Sequence, residues 1–366
     1  MKEDKINLLK KTAEHFQTDA VLVYGTVWRK ENFRYLTRVN FFGPYAIVLY
    51  SARSGKTFVF SSTVWDKELS EDRLANINGV FKADADFRNI VSLLKREGVS
   101  SVSVSGFNLL PASIASAISG AGINILPGDG FLEIFRYRKT PEEVELLRGA
   151  VHMADEAFPV FCRGVSNGLT EFEIVANVEH KLKSMGAEDN FMLIATGGVD
   201  VRGMAPPTMK SAEPGHMVRT ELTPCNQGWY CQICRTVVRG PANEDQKRSF
   251  EIFKEAEEAG LAILKPGVNI GDVARAENAV FHKYGYGEFT KPIYTRVRGH
   301  GQGLYLDEAP IVNEDVDLIV EEGMVMVVHP NTYNPLSGYM VFGDPVVVTK
   351  GGYDILTQTE RKLFEA

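Results

Sequence analysis

Short apolar runs alternate with amphipathic segments over the first third of the chain. The apolar runs are rich in β-branched and aromatic residues, which predicts buried strands at residues 20–24, 46–50, 57–60, 101–104 and 123–126. Apolar residues recur at helical spacing in three other segments, residues 4–18, 87–97 and 112–118. This alternation predicts an N-terminal α/β domain over residues 1–130.

A charged connector is expected at residues 131–139. Directly after it, Thr140 can cap a helix, Pro141 suits the first helical position, and Glu143 completes a capping box. Apolar residues then continue at helical spacing towards Phe158. A second folded domain is therefore expected to begin with a well-defined helix.

The order helix, helix, strands occurs twice in the second part of the chain. The first pair of helices is predicted at about 140–158 and 170–186, and the second at 244–264 and 270–284. Such a duplication predicts two similar halves that face each other across one pocket. We expect residues 131–366 to form this duplicated α+β domain.

The composition is that of a globular protein in water. A length of 366 residues suits two domains, and the net charge of −7 argues against nucleic acid or an anionic membrane as a partner. The polar start of the chain, Met1–Lys5, is unlike a signal sequence, and no apolar run is long enough to span a membrane. Four cysteines without a small secreted framework indicate reduced thiols, so a cytoplasmic location is expected.

Polar residues with catalytic potential lie at the ends of apolar runs in the second domain. They are one carboxylate, one amide and two histidines: Glu221, Gln232, His300 and His329. With a reference pKa near 6.5, a histidine can exchange protons at neutral pH. The pattern predicts a built site, and its alternative is a hydrogen-bonded histidine pair in a pocket without chemistry.

Several segments resemble the pita-bread peptidases, a family that includes methionine aminopeptidase, aminopeptidase P, prolidase and creatinase. The similar segments occur in the same order along both chains: residues 33–50, 138–148, 299–304, 307–310 and 323–325. The resemblance implies a creatinase/prolidase-like N-terminal α/β domain followed by a duplicated pita-bread domain. It also implies a hydrolase similar to creatinase or Xaa-Pro peptidases, and a homodimer as in the creatinase branch.

The family's metal site is largely substituted in this chain. The peptidases hold two metal ions with two Asp, one His and two Glu, and the matching positions here are Glu221, Gln232, His300, His329 and Gly343. Only His300 is unchanged, and Glu221 is the one remaining carboxylate. Two divalent ions would therefore repel each other without compensating charge. We expect no metal, and the alternative is a single ion bound by Glu221, His300 and His329.

Creatinase gives a precedent for this fold hydrolysing a C–N bond without metal. The corresponding expectation here is a small-molecule or short-peptide substrate, with His329 as the general base and His300 as the acid. Glu221 and Gln232 would orient water or substrate, and the planar guanidinium of Arg298 would bind a substrate carboxylate. The alternative is a pseudoenzyme that binds a peptide or partner protein, as the histone-chaperone relative of the family does.

Four further residues are expected to contact the substrate: Tyr230, Cys234, Asp307 and Asp344. Cys231 and Cys234 form a CxxC pair, which is often a zinc or redox signal. On a strand, however, residues three apart point to opposite faces and do not readily share an ion. Both are therefore interpreted as packing residues, with Cys234 also a candidate nucleophile.

Overall fold

A computed structural model describes residues 1–366. The chain forms two compact units, Met1–Arg136 and Tyr137–Ala366. No helix in either unit combines the length and apolar character needed to cross a lipid bilayer.

The first unit is a six-stranded sheet with helices: the five predicted strands form, and the strand at Gly79–Lys82 was not predicted. Its elements are α1 Glu3–Phe16, β1 Ala20–Thr26, α2 Glu31–Thr37, β2 Tyr45–Ser51, β3 Lys56–Ser61, α3 Val64–Arg73, β4 Gly79–Lys82, α4 Arg88–Arg96, β5 Ser101–Ser105, α5 Ala112–Gly120 and β6 Asn124–Pro127. The strand order is β4-β3-β2-β1-β5-β6, in which β2 is antiparallel to both β1 and β3 and the other pairs are parallel. Buried aliphatic and aromatic side chains of the sheet and helices form its core.

The segment expected as a charged connector is a helix, α6, at Phe131–Tyr137. Leu132 and Arg136 are buried, and the ring of Phe131 stacks on His15 with centroids 4.2 Å apart. Burial of this apolar face makes the helix part of a packed domain, which a charge count along the sequence does not reveal.

The second unit repeats two helices and a sheet, and this confirms the duplicated order. The first half contains α7 Pro141–Ser166, α8 Glu171–Ser184, β7 Asp189–Gly197, β8 Met217–Asn226, β9 Trp229–Tyr230 and β10 Ile233–Val238. The second half contains α9 Glu244–Ile263, α10 Ile270–Lys283, β11 Gly299–Gly301, β12 Glu308–Ile311, β13 Val325–Val328, β14 Thr332–Asn334, β15 Gly338–Met340, β16 Asp344–Thr349, β17 Gly352–Ile355 and β18 Phe364–Glu365.

The helices of the second unit begin where the sequence places their caps. The Thr140 hydroxyl accepts a hydrogen bond from the Glu143 N–H, and the Glu143 carboxylate accepts one from the Thr140 N–H. The same reciprocal pair forms between Thr170 and Glu173 at α8. Two capped helices therefore support the first half of the unit, and their apolar faces pack under its sheet.

Each half is built around one five-stranded sheet, and the last strand of the chain, β18, joins the sheet of the first half. The first has the order β18-β10-β8-β7, with β9 paired to β8, and the second has the order β12-β11-β13-β16-β17. Backbone hydrogen bonds join the sheets at two points, between Cys234 and Gly343 and between Tyr230 and Gly303. The two sheets therefore meet at the strand ends that carry the candidate residues.

Candidate functional site

A cavity of about 390 Å³ lies where the two sheets meet. Glu221 enters it from the middle of β8, and Gln232 enters from the residue before β10. His300 enters from β11 and His329 from the residue after β13. The structure thus brings together four residues separated by up to 108 positions in the chain (329 − 221).

Glu221 is a largely buried carboxyl group without a cationic partner. Its Oε1 accepts a hydrogen bond of 3.0 Å from Nδ2 of Asn331. Burial, followed by the negative charge of Asp307, raises the pKa of Glu221 to about 7. A structural role for Glu221 would need an ion pair with Arg235 or Arg298, and neither pair forms, since Arg235 binds Asp344. Glu221 can therefore donate a proton near neutral pH.

His300 is paired with a carboxylate that faces the same cavity. Its Nε2 lies 3.3 Å from Oδ1 of Asp307, and its Nδ1 lies 3.0 Å from the carbonyl oxygen of Gly301. A proton on Nδ1 satisfies the Gly301 carbonyl and leaves Nε2 as the basic nitrogen. Burial lowers the pKa of His300 below 6.5, and the charge of Asp307 opposes this shift. The Gly301 carbonyl therefore orients the ring, and the Asp307 carboxylate is placed to stabilise a proton that arrives on Nε2.

His329 packs edge to face on His300, with ring centroids 5.4 Å apart. Burial, followed by the proximity of His300, lowers the pKa of His329 to about 3. Its Nδ1 is buried without a hydrogen-bond partner. A group with this pKa is a weak base at neutral pH, which disfavours His329 as the general base relative to His300.

Two amide side chains connect the residues of the site. Oε1 of Gln302 accepts a 2.6 Å hydrogen bond from the backbone N–H of Gln232, and its Nε2 lies 3.4 Å from Nδ1 of His300. Asn331 donates to Glu221 and also accepts from the backbone N–H of Phe342. Sequence reasoning assigned no role to Gln302 or Asn331, although each stands two residues after a candidate histidine.

Arg298 does not reach the cavity, and its expected role in binding a substrate carboxylate is corrected. It is 1% exposed, its Nε donates to Oδ1 of Asn278 at 2.6 Å, and its Nη1 donates to the carbonyl oxygen of Pro330 at 3.1 Å. These contacts make it a structural residue between α10 and the segment after β13. Arg296 lines the cavity instead.

Asp344 and Tyr230 are also absent from the cavity wall. Asp344 is fully buried, and its Oδ1 accepts from Nη2 of Arg235 at 2.6 Å while its Oδ2 accepts from Nε of Arg361 at 3.1 Å. The Tyr230 hydroxyl donates to Oδ2 of Asp189 at 2.9 Å. Neither side chain is placed to contact a substrate, so both expectations are corrected.

The two cysteines of the CxxC pair are fully buried and unbonded to each other. Cys231 precedes β10, whereas Cys234 lies within β10 beside Glu221 and does not line the cavity. Burial raises the pKa of the Cys234 thiol well above its usual value. A buried thiol is not a nucleophile at neutral pH, so its candidate catalytic role is corrected.

The residues present do not fit a two-metal site. No group of three or more His, Cys, Asp or Glu side chains is arranged to hold a metal ion, and this includes the set Glu221, His300 and His329. Position 343 also has no room for a ligand, because a Cβ built on Gly343 would lie 2.4 Å from Cβ of His329 and 2.5 Å from the carbonyl oxygen of Val328. These contacts are with Cβ and backbone atoms, so in this conformation position 343 does not accept the side chain that a metal ligand needs.

Comparisons with known proteins agree with this architecture. Residues 145–350 match metallopeptidase family M24. The chain is 31% identical over 238 residues to the Xaa-Pro dipeptidase of Pyrococcus furiosus, which covers 64% of this chain and 67% of that protein.

Solved structures resemble the whole chain. An Xaa-Pro dipeptidase from Bacillus anthracis has a TM-score of 0.88 at 24% identity and 99% coverage of both chains. The prolidase from Pyrococcus horikoshii has a TM-score of 0.86 at 25% identity, with 99% of this chain and 100% of that chain covered. The expected pita-bread fold with its N-terminal domain is confirmed, and the chain belongs to metallopeptidase family M24.

Proposed function

We propose that this protein hydrolyses a C–N bond in a small nitrogen-containing or peptide-like substrate without using a metal ion. The observation that carries the proposal is the His300–Asp307 pair, which faces the same cavity as the carboxyl group of Glu221. The environments of these groups lower the pKa of His300 and raise that of Glu221, so that one can act as a base and the other as an acid. The Xaa-Pro dipeptidases among the relatives support a peptide-like substrate.

His300 is the general base in this proposal. Its Nε2 takes a proton from a water molecule as the water oxygen attacks the electrophilic carbon of the scissile C–N bond. The Asp307 carboxylate, 3.3 Å from Nε2, stabilises the imidazolium that forms. The carbonyl of Gly301 holds the other ring nitrogen, which keeps the imidazole oriented during the transfer.

Glu221 is the general acid. Its carboxyl group, with a pKa near 7, is substantially protonated at neutral pH and transfers that proton to the departing nitrogen as the C–N bond breaks. The products are a carboxyl-type fragment and an amine, and Glu221 is left as a carboxylate. The proton on His300 then returns to Glu221 through solvent, which restores both groups. Asn331 holds the carboxyl group in place throughout.

The family name implies metal ions, and the side chains of this chain argue for different chemistry. The family uses four carboxylates, and at the matching positions Glu221 is the one that remains. His300, the one retained ligand, has its Nε2 beside Asp307, and position 343 is sterically closed to a ligand. The proposed reaction therefore runs through His300, Asp307 and Glu221 alone.

The decisive experiment combines metal analysis with turnover. Protein purified without chelator is analysed for bound metals, and hydrolysis is measured before and after treatment with EDTA on Xaa-Pro dipeptides, N-acyl amino acids and guanidino acids. We expect turnover that survives chelation and is lost in His300→Ala, while the partly exposed control His216→Ala keeps wild-type activity. A stoichiometric metal whose removal abolishes turnover contradicts the metal-free reaction. Absence of turnover on all three classes contradicts the hydrolase and favours a binding protein.

A further inference from the structure

Arg296 has unused hydrogen-bonding capacity at the cavity. Its side chain is 71% exposed and lines the wall, and its one hydrogen bond joins Nη2 to Oδ2 of Asp307. A guanidinium carries five N–H donors in a planar fork, so most of its donors are available to a ligand. Two parallel N–H groups of this fork match the two oxygens of a carboxylate.

The guanidinium acts on the interior of the cavity as well as on solvent. Its positive charge counters the upward shift in the pKa of Glu221, on the opposite sheet, and in that of Tyr339. Both residues belong to the cavity wall, as does Asp307. Arg296 is thus within electrostatic reach of a molecule bound beside Glu221.

No other lysine or arginine lines this cavity. Arg298 and Arg235, which lie near it in the fold, are fully buried and donate to internal oxygens. The acidic wall residues Glu221 and Asp307 would repel an anionic group placed elsewhere in the cavity. Arg296 is therefore the one cationic side chain of the wall that can bind a ligand carboxylate.

We propose that Arg296 binds a free carboxylate of the substrate while its Nη2 stays hydrogen-bonded to Asp307. The pocket then selects small carboxylic acids over their neutral analogues. This rests on the proposed function for the reaction, but the binding step needs no turnover. In that arrangement the nitrogen of the scissile bond lies towards Glu221 and the carboxylate at the mouth. A cavity of about 390 Å³ is at the small end of ligand pockets, which suits a molecule of dipeptide size.

Calorimetric titration of the native protein tests the assignment. The probes are two acid–amide pairs, N-acetyl-L-proline with N-acetyl-L-prolinamide and N-acetylglycine with N-acetylglycinamide, each at low salt. We expect tighter binding of each acid than of its amide, and a loss of roughly tenfold or more in acid affinity for Arg296→Gln, because a charge-assisted hydrogen bond is removed. Arg296→Lys should fall between the two, since it keeps the charge and loses the fork.

The matched control is Arg275→Gln, which removes another exposed, ion-paired arginine of the same unit. Its acid affinity should equal that of the wild type. Equal affinity for acid and amide in the wild type, unchanged acid affinity in Arg296→Gln, or no binding of either acid at millimolar concentration would each overturn the proposal.

Failure of this proposal and failure of the hydrolase are distinguishable. If the protein binds the acids through Arg296 but hydrolyses none of the compounds, the carboxylate site is supported and the hydrolase proposal is contradicted. If neutral amides are hydrolysed, and at the same rate by the wild type and by Arg296→Gln, the hydrolase proposal is supported and the carboxylate site is contradicted.

Discussion

Nε2 of His300 lies 3.3 Å from Oδ1 of Asp307. The other oxygen of Asp307 accepts a hydrogen bond from Arg296. One carboxylate therefore joins the proposed base of the reaction to the proposed binding group for the substrate. In the related peptidases the retained histidine is a metal ligand, whereas here its ring nitrogen faces an anion.

Asp307→Asn should reduce hydrolysis without unfolding the protein. The variant removes the charge that stabilises the His300 imidazolium, and we expect kcat/KM to fall by about a hundredfold or more. Asp307 is partly exposed, so the melting temperature should change little. The control is Asp86→Asn, which breaks another exposed Asp–Arg pair far along the chain. Wild-type kcat/KM in Asp307→Asn would show that the pair has no part in the reaction.

Hydrolysis should show a bell-shaped dependence on pH. The base must be neutral, and because the pKa of His300 lies below 6.5, kcat/KM should fall on the acidic side of that value. The acid must be protonated, and because the pKa of Glu221 is about 7, kcat/KM should fall again above it. Initial rates measured across the range locate both limbs. A rate that keeps rising on the alkaline side would exclude Glu221 as the general acid.

Glu221→Gln should stabilise the protein at alkaline pH while it abolishes hydrolysis. The pKa of Glu221 rises from its ordinary value of 4.5 to about 7 in the folded state, so the folded protein binds more protons than the unfolded chain between these values. The free energy of unfolding therefore decreases as pH rises through this window. Gln carries no charge and avoids this loss.

The measurement is the melting temperature of wild type and Glu221→Gln, taken once below and once above the window from 4.5 to about 7. We expect a higher melting temperature for the variant relative to wild type above the window than below it. The exposed control Glu322→Gln should show the same difference at both values. A variant less stable than wild type at alkaline pH would contradict the raised pKa.

The parts of the fold that sequence patterns predicted are those fixed by local interactions. The reciprocal Thr140–Glu143 cap is determined within four residues, and the start of α7 follows from it. The helices α2 and α6 were missed because their identity depends on burial: every residue of Glu31–Thr37 is buried, and Leu132 of α6 packs into a core. Such burial depends on distant segments that periodicity does not encode.

The sequence likewise predicted the location of the site but not the direction of every side chain near it. Glu221, Gln232, His300 and His329 were found from the order of motifs, and the structure places all four on one cavity. The misassigned arginine shows the limit, since Arg296 and Arg298 stand two residues apart and resemble each other as substrate-binding candidates. Arg298 points into the protein because it donates to Asn278 on α10 and to the carbonyl oxygen of Pro330, and no local pattern identifies these contacts.

Gly343→Ala should destabilise the protein and disturb the site. The added Cβ would lie within 2.5 Å of Cβ of His329 and of the carbonyl oxygen of Val328, so this segment must move. We expect a loss of about 1–3 kcal/mol in the free energy of unfolding, measured by urea denaturation. Gly351→Ala is the control, since a Cβ there meets no atom within 4 Å. An unchanged free energy of unfolding would show that position 343 can accept a side chain, and with it a metal ligand.

Asp344→Asn should weaken the fold and leave substrate binding unchanged. Asp344 neutralises the fully buried Arg235 at 2.6 Å, and removal of one partner from a buried ion pair typically costs about 3–5 kcal/mol. The neighbouring Glu257 reduces this loss. Burial, followed by the charge of Asp344, raises the pKa of Glu257 to about 8, so removing Asp344 favours its ionised form and returns part of the lost charge.

We therefore expect a loss near the lower end of that range, about 3 kcal/mol by urea denaturation, with an unchanged KM for the folded variant. Asp272→Asn breaks an exposed Asp–Arg pair of nearly the same length, 2.7 Å, and should lower the free energy of unfolding by less than about 1 kcal/mol. A raised KM in Asp344→Asn at unchanged stability would return Asp344 to the substrate pocket. Comparison of the two variants thus distinguishes a buried carboxylate that stabilises the junction of the two sheets from one that pairs with an arginine at the surface. The measured difference in the free energy of unfolding does not depend on the identity of the substrate.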